Sequence, residues 1–273
     1  MSQPAVTFQE PGGAIAPHLR RLLDFVEPAP DDVCLDVARG HGPMPAALVP
    51  QVRHVSAVDA LPPPLRHARG RTRTVEFGTG PVRIAGEGDL AARRVPTAYL
   101  ERRPNRGCPD GITVQADATA LPYRDGTFSL VTTRFSLYNL GDPQRVLREL
   151  LRVCRPGGRL VIADLVRGNL TGPGRDRVER LRDPDHPGTP SIAALTDLVT
   201  GAGATIRRFD VFTVERPIEP WLAGAHSAHA ADQIRGELLE EIDGGPRTGA
   251  KPRLIGGELW FTQSWAHIAA EPI

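Results

Sequence analysis

Apolar positions in the first half of the chain alternate between helical spacing and short continuous runs. The stretch "PHLRRLLDFVEP" repeats Leu and Val with the period of an amphipathic helix, which Pro28 and Pro30 then end. Four segments, "DDVCLDVA", "RHVSAVDA", "GITVQADA" and "FSLVTTRFSL", are apolar enough to be strands buried on both faces. "AALVPQV" predicts a short helix between the first two. Strands separated by helices predict a parallel sheet with helices on both faces.

The clearest helix signal follows the fourth strand, in "DPQRVLRELLRVCRPGGRLVIADLV". Asp142 can cap this helix, and Pro143 suits its first turn. The apolar stripe of the helix consists of Val146, Leu147, Leu150, Leu151 and Cys154. Pro156, Gly157 and Gly158 then reverse the chain into the strand "RLVIADLV".

The second half of the chain adds elements of both types. "SIAALTDLVTGAG" and "AADQIRGELLEEI" predict helices, whereas "TIRRFDVFTVE" and "ELWFTQSWAHIAA" predict strands. The predicted fold class is therefore α/β, with a doubly wound, mostly parallel sheet and helical additions. We expect a single domain over residues 1–273, with an N-terminal helical extension at 1–30.

Residues 70–111 interrupt this rhythm. They are rich in Arg, Gly and Pro and show little periodicity, at a place where the fold needs only one helix and a turn. The arginines could form a phosphate-binding patch, but Glu76, Glu87, Asp89, Glu101 and Asp110 dilute their charge. We interpret the segment as a solvated insertion outside the core. The string "TVEFGTG" within it is an alternative third strand, but "GITVQADA" fits that place better.

Composition narrows the classes of partner. Lys+Arg 33 against Asp+Glu 32 leaves a formal net charge of +1, which favours neither nucleic acid nor an acidic membrane. Cys34, Cys108 and Cys154 share no metal-ligand spacing and predict reduced thiols, as in a cytoplasmic protein. The segment "MSQPAVTFQEPGGAIAPHL" lacks a signal pattern, and we expect no membrane insertion. Whether the protein forms a homodimer is left open by the sequence.

The stretch "CLDVARGHG" is typical of a strand that turns into a nucleotide-binding loop. A P-loop needs a lysine directly after its glycines, and the only lysine is Lys251. A dinucleotide fingerprint needs a third glycine, and the chain has Pro45 in that region instead. Asp59 ends the next strand, where a carboxylate can accept both hydroxyls of a ribose. The pattern therefore favours an adenosine-type ligand without a pyrophosphate.

These motifs resemble class I S-adenosylmethionine-dependent methyltransferases of the ubiquinone/menaquinone-biosynthesis type. "LDVARGHG" looks like their first motif, and "ADATALPYRDGTFSLVTTRFSLYNLGDPQRVLRELLRVCRPGGRLVIADLV" is similar to their "D-A-x-x-LP", "F-x-x-V", "DP" and "PGG" elements in order. The match spans about residues 31–166, and the tail also looks like this group. The resemblance implies a Rossmann-like, seven-stranded sheet and S-adenosyl-L-methionine as cofactor.

The resemblance also implies roles for particular residues. The implied cofactor-binding residues are Asp36, Ala38, Gly40, Gly42, Asp59, Ala60, Asp117, Ala118, Thr133 and Arg134. Among them, Asp36 would orient the amino group of the cofactor and Asp59 would hold its ribose. Asp117 would accept from the adenine amino group. Glycine residues in the loop would let the backbone approach the methionine and ribose.

Three residues depart from the family pattern. Arg39 and His41 replace smaller residues in the glycine loop, and Ser129 stands where the family usually has Asp. Arg39 can direct its guanidinium out of the loop or pair with the carboxylate of the cofactor. Ser129 lies at the start of a strand, so we expect it to alter local hydrogen bonding rather than the chemistry.

Methyl transfer from a sulfonium can rest largely on proximity, orientation and exclusion of water, so a base is needed only for some acceptors. Tyr138, Asn139 and His186 are the candidates, with Tyr138 and His186 predicted as catalytic. Residues 167–200 are predicted to cover the pocket. His226 and His229 lack a third ligand, so no metal is assigned.

The leading function is O- or C-methylation of an aromatic, quinone-like or polyketide-like small molecule, as in secondary metabolism. An alternative is a protein of the same fold that binds the cofactor without transferring methyl, such as a cyclase. Methylation of RNA or protein is disfavoured by the near-neutral charge.

Overall fold

The computed structural model describes residues 17–38, 43–60, 74–77, 111–168 and 174–273. These residues form two compact units. The sheet unit comprises the described residues of Phe8–Asp164 together with Thr196–Asp210 and His267–Ile273. The helical unit comprises the described residues of Leu165–Leu195 together with Val211–Ala266. The expectation of a single domain over 1–273 stays a prediction.

Nine strands form the described sheet. They are β1 (Val33–Ala38), β2 (His54–Ala60), β3 (Thr74–Phe77), β4 (Gly111–Ala116), β5 (Phe128–Arg134), β6 (Cys154–Leu165), β7 (Ala204–Pro217), β8 (Arg253–Ile255) and β9 (Glu258–Pro272). Their order is β3-β4-β2-β1-β5-β6-β9-β7, with β8 paired to β9. Strands β4, β2, β1, β5 and β6 pair in parallel. Without the short strands β3 and β8, the sheet has seven strands. This confirms the doubly wound, mostly parallel α/β fold.

Seven α-helices lie within the described residues. They are α1 (Pro17–Val26), α2 (Pro43–Leu48), α3 (Pro143–Val153), α4 (Gly174–Arg182), α5 (Ile192–Gly201), α6 (Glu219–Leu222) and α7 (Ala228–Ile242). The predicted cap of α3 is confirmed, because the Asp142 carboxylate accepts from the N–H groups of Gln144 and Arg145. Helix α2 begins earlier than predicted, directly after the glycine loop, and ends before Pro50.

The third parallel place in the sheet belongs to β4, as predicted. Strand β4 pairs in parallel with β2, from Val55 opposite Gly111 to Ala60 opposite Ala116. The competing string "TVEFGTG" contributes β3, which pairs antiparallel to β4 at the edge of the sheet. The interpretation of 70–111 as an insertion therefore needs one correction, because residues 74–77 join the sheet. The rest of that segment up to residue 110 lies outside the described residues.

The apolar core of the sheet unit packs α1 and α2 against the central strands. Its buried members are Leu19, Leu22, Leu23, Val26, Cys34, Met44, Leu48, Val55, Leu130, Val161, Ala163 and Ala269. The helical face predicted from "PHLRRLLDFVEP" supplies the first four. Burial raises the pKa of the Cys34 thiol, as expected of an unreactive core cysteine.

A buried polar cluster ties the amino ends of three strands to α1. The Arg159 guanidinium bonds the Asp32 carboxylate, with Nη2 to Oδ2 at 2.6 Å, and donates to the carbonyl of Val26 at the end of α1. The Ser129 hydroxyl donates to Asp32 Oδ1 at 2.6 Å and accepts from the Val33 N–H at 3.0 Å. Burial alone raises the pKa of Asp32, but the bonds from Arg159 and Ser129 outweigh it and lower the pKa.

Ser129→Ala tests the structural role of this departure from the family pattern. The variant removes a donor from a buried carboxylate and an acceptor from a backbone N–H, so we expect it to lower the free energy of unfolding by about 1–3 kcal/mol. Urea denaturation measures this loss. Thr127→Ala is the matched control, because that hydroxyl donates to the exposed carbonyl of Arg124. Equal stabilities for the two variants would contradict a structural role for Ser129.

Candidate functional site

The carboxyl ends of the central strands place several predicted residues side by side. Ala38 at the end of β1 pairs with Asp59 of β2, and Ala60 of β2 pairs with Ala116 of β4. On the other side of β1, Val37 pairs with Thr133 of β5. Ligands of open parallel sheets bind at this end of the strands. The register thus brings these predicted residues to one edge of the sheet, and their roles stay predictions.

Asp36 is a buried acid at this end of the sheet. Its side chain lies between β1 and β5, and the residue is only 2% exposed. Thr132, its direct partner on β5, donates its hydroxyl to Asp36 Oδ1 at 2.5 Å. Burial raises the pKa of Asp36 to about 6, and the Thr132 bond and the positive charge of Arg134 only partly oppose this shift. A carboxylate kept at such a cost is typical of a functional site.

The chain leaves β5 through an unusual turn. Arg134 ends the strand, and burial lowers the pKa of its guanidinium while the negative charge of Asp36 raises it. Phe135 follows with a φ of 50°, a conformation that costs a residue with a side chain about 1–3 kcal/mol. The Thr133 and Ser136 hydroxyls bond each other at 3.0 Å beneath this turn. Backbone strain of this kind clusters at functional sites.

Asp117 lies in the turn directly after β4. Its Oδ1 accepts from the backbone N–H and from the hydroxyl of Thr119, both at 2.8 Å. The residue is exposed, and the neighbouring Ala118 is fully buried. Asp117 Oδ1 thus stabilises the turn. Asp117 Oδ2 is the oxygen that can accept a hydrogen bond from a ligand, as predicted for the adenine amino group.

Helix α3 holds the segment that follows Asp117. Arg152 donates to the carbonyls of Leu121 and Tyr123, at 3.1 Å and 2.9 Å. Glu149 accepts from the Leu121 N–H at 2.8 Å and is itself paired with Arg152. These bonds hold the loop after Asp117 in place and do not involve the carboxylate of Asp117.

The two predicted catalytic residues fall in different units. Tyr138 lies in a 3₁₀ turn, Leu137–Asn139, of the sheet unit and is half-buried. Burial and the nearby charge of Asp164 raise its pKa, so the phenol is neutral and can donate a hydrogen bond. His186 lies in a turn of the helical unit, where its Nδ1 accepts from the Gly188 N–H at 3.0 Å. Its Nε2 is therefore the ring nitrogen that could exchange a proton with a ligand.

Several predicted residues cannot be placed in full. Gly40, Gly42, Arg39 and His41 lie outside the described residues, so the glycine loop stays a prediction. Ala38, Asp59 and Ala60 are described as strand residues only. Within the described ranges, no group of three or more His, Cys, Asp or Glu side chains is arranged to hold a metal ion. The prediction that the protein needs no metal stays a prediction.

Two site residues were missed at the level of sequence. Thr132 orients Asp36, and only the pairing register of β1 with β5 reveals this contact. Asp164 lies near the end of β6, is 7% exposed and contributes to the raised pKa of Tyr138. The string "VIADLV" carried the signal, because an acid at the end of an apolar strand was what marked Asp59.

Part of the chain is similar in sequence to known methyltransferases. Residues 35–162 match the family described as "Methyltransferase domain". Among curated relatives, the demethylmenaquinone methyltransferase of Clavibacter sepedonicus is 33% identical over 139 residues, which cover 51% of this chain and 43% of that protein. The ubiquinone/menaquinone biosynthesis C-methyltransferase UbiE of Ruegeria sp. TM1040 is 28% identical over 145 residues, 52% of this chain and 46% of that protein. The alignments thus cover less than half the length of these relatives.

A solved structure extends the similarity of fold to most of the chain. The YcgJ protein of Bacillus subtilis superposes with a TM-score of 0.66 at 18% sequence identity, covering 93% of this chain and 98% of that one. At this identity the likeness shows the fold alone. Among the described residues, no helix has the length and apolar character needed to cross a membrane.

Asp36→Asn tests whether the buried charge of Asp36 lowers the stability of the folded protein. Because the folded state raises the Asp36 pKa from 3.8 to about 6, stability falls as the pH rises through this window. Asn keeps the acceptor for Thr132 without the charge. We expect the variant to be more stable than the wild type by up to about 3 kcal/mol at pH 8, and to gain nothing at pH 4.

Urea denaturation at the two pH values measures this difference. Asp142→Asn is the matched control, because Asn caps helices as well as Asp does. A gain for Asp36→Asn that is the same at pH 4 and pH 8 would contradict a raised Asp36 pKa.

Proposed function

We propose that this chain, which carries a methyltransferase domain at residues 35–162, transfers a methyl group from S-adenosylmethionine to a small-molecule acceptor. The observation that carries the proposal is the buried Asp36 at the carboxyl end of β1, inside a sheet whose strand order suits a nucleotide-type ligand. Neither the fold nor the packing of the core requires a buried acid at this position, where burial raises its pKa to about 6. A ligand amino group beside Asp36 would stabilise its charged form.

The residues at the strand ends fit this cofactor. Asp36 offers a carboxylate for the amino group of its methionine part, and Asp59 is at the right strand end for the ribose hydroxyls. Asp117 can accept from the adenine amino group through the oxygen that the Thr119 turn leaves unused. When bound, the cofactor supplies an electrophilic methyl group on a sulfonium.

The chain contributes binding, orientation and exclusion of water. An in-line displacement depends on holding the acceptor atom against the methyl group, so positioning can supply much of the rate. Tyr138, with its raised pKa, acts as a hydrogen-bond donor that orients the acceptor rather than as a base. His186 Nε2 is the candidate for taking a proton from acceptors that must lose one, because Nδ1 is already used.

The proposal also extends to the chemical class of the methyl acceptor. One of the relatives described above is named a demethylmenaquinone methyltransferase and the other a ubiquinone/menaquinone biosynthesis C-methyltransferase, which supports an aromatic or quinone-like acceptor. The formal charge of +1 supports a small molecule over a nucleic acid as partner. Action on such metabolites and the reduced Cys34 and Cys154 support a cytoplasmic location.

Asp59→Ala tests the cofactor site. The variant removes the acceptor of the ribose hydroxyls, so we expect cofactor affinity to fall by about 1–3 kcal/mol. Calorimetric titration with S-adenosylmethionine and with S-adenosylhomocysteine measures this change. Asp142→Ala is the matched control, because it removes an acid from a helix cap. Unchanged affinity in a folded Asp59→Ala variant would place the ribose elsewhere.

Tyr138→Phe and His186→Ala test the assignment of roles at the acceptor. Each side chain is tested by itself: where it contacts the acceptor and the transition state, turnover falls by about tenfold or more while cofactor affinity stays within a few-fold. The measurements are steady-state methyl transfer and calorimetry on the same preparations. Loss of cofactor binding in both variants would contradict these roles.

A further inference from the structure

A pocket of about 280 Å³ lies entirely within the helical unit. It begins at Leu165, the last residue of β6, and includes residues of α4 and β9. Its lining combines aliphatic side chains and hydroxyl groups with three cations, Arg167, Arg175 and Lys251. Glu179 is the one carboxylate among the lining residues. The pocket therefore has a net positive lining.

Arg175 is the unusual member of this lining. Its side chain is only 8% exposed, and its guanidinium lies 5.7 Å from the Trp221 ring and 5.1 Å from the Phe261 ring. Nη2 is paired with Glu179, which neutralises the charge only locally. Nη1 is buried and has no hydrogen-bond partner within the part of the chain that the structure describes. A buried donor of this kind costs free energy unless an acceptor reaches it.

The other polar groups of the pocket suit the same kind of acceptor. Gln263 Oε1 accepts from Trp265 Nε1 at 3.3 Å and from Arg216 Nη1 at 3.5 Å, which leaves the Gln263 amide nitrogen to donate. Lys251 is exposed and adds a further positive charge at the pocket. The pocket thus offers donors of three geometries and only one acidic side chain.

We propose that this pocket binds the carboxylate group of a small organic acid, with Arg175 as its buried anchor. A carboxylate carries a single charge and two acceptor oxygens, which match a guanidinium nitrogen and an amide nitrogen. The volume of about 280 Å³ suits a molecule of one ring or the acidic end of a larger one. The binding of this acid does not rest on the proposed function.

Ligand-observed NMR titrations test the site without any methyl transfer. The probes are sodium benzoate, its neutral isostere benzamide, and inorganic phosphate, each added to the full chain. Because the anchor recognises charge, we expect benzoate to bind at least about tenfold more tightly than benzamide, and phosphate to bind more weakly than benzoate.

Variants locate the binding at this pocket. Arg175→Lys keeps a positive charge beside Glu179 but lacks the second nitrogen, so benzoate affinity falls by about tenfold. Lys251→Gln, an exposed change, lowers it by about threefold. Arg177→Gln is the matched control on the same helix, because Arg177 pairs with Glu237 and does not line the pocket; its benzoate affinity equals that of the wild type.

The outcomes separate this inference from the proposed function. Equal binding of benzoate and benzamide overturns anion recognition, and benzoate binding that survives both pocket variants places it elsewhere. Preference for phosphate overturns the assignment of a carboxylate. S-adenosylhomocysteine is titrated into the same samples: its binding without benzoate binding overturns only the acid pocket, whereas benzoate binding without it overturns only the proposed function.

Discussion

The buried Asp36 carboxylate, which accepts a hydrogen bond from Thr132, is the constraint on which the candidate site of the sheet unit depends. This bond joins β1 to β5, the pair at the centre of the parallel sheet, at the end where nucleotide-type ligands bind. Cys34, Leu35 and Val37 of β1 are also buried, and Asp36 is the one carboxylate that this strand takes into the core. Burial raises the pKa of Asp36, so its charged form lowers the stability of the folded state instead of adding to it.

The sequence alone was sufficient for the main elements, because burial on both faces leaves continuous apolar runs in β1, β2, β5 and β6. The cap at Asp142 and the apolar stripe of α3 are local signals of the same kind. Contacts between distant residues were not predictable. Ser129 and Asp32 are 97 residues apart in the chain, and only the folded register brings the hydroxyl to the carboxylate.

The helical unit shows the same limit more strongly. In α4, Arg175 and Glu179 have the spacing of a surface ion pair, and long charged side chains are seldom buried. Sequence reasoning therefore had no signal that both residues would lie in the interior beside a cavity. Trp221 and Phe261, which pack against Arg175, come from segments far along the chain. The predicted role of 167–200 as a pocket cover stays a prediction, although part of it lines the pocket found here.

The central claim is that the strand-end acids serve methyl transfer. The most direct measurement adds methyl-labelled S-adenosylmethionine and the protein to a small-molecule extract of the producing cells, with Asp59→Ala as the matched protein. If the chain transfers methyl, label is found in a small organic molecule together with an equal amount of S-adenosylhomocysteine, and much less of both forms with the variant. Conversion of a substrate that requires the cofactor but leaves all the label on it would contradict methyl transfer.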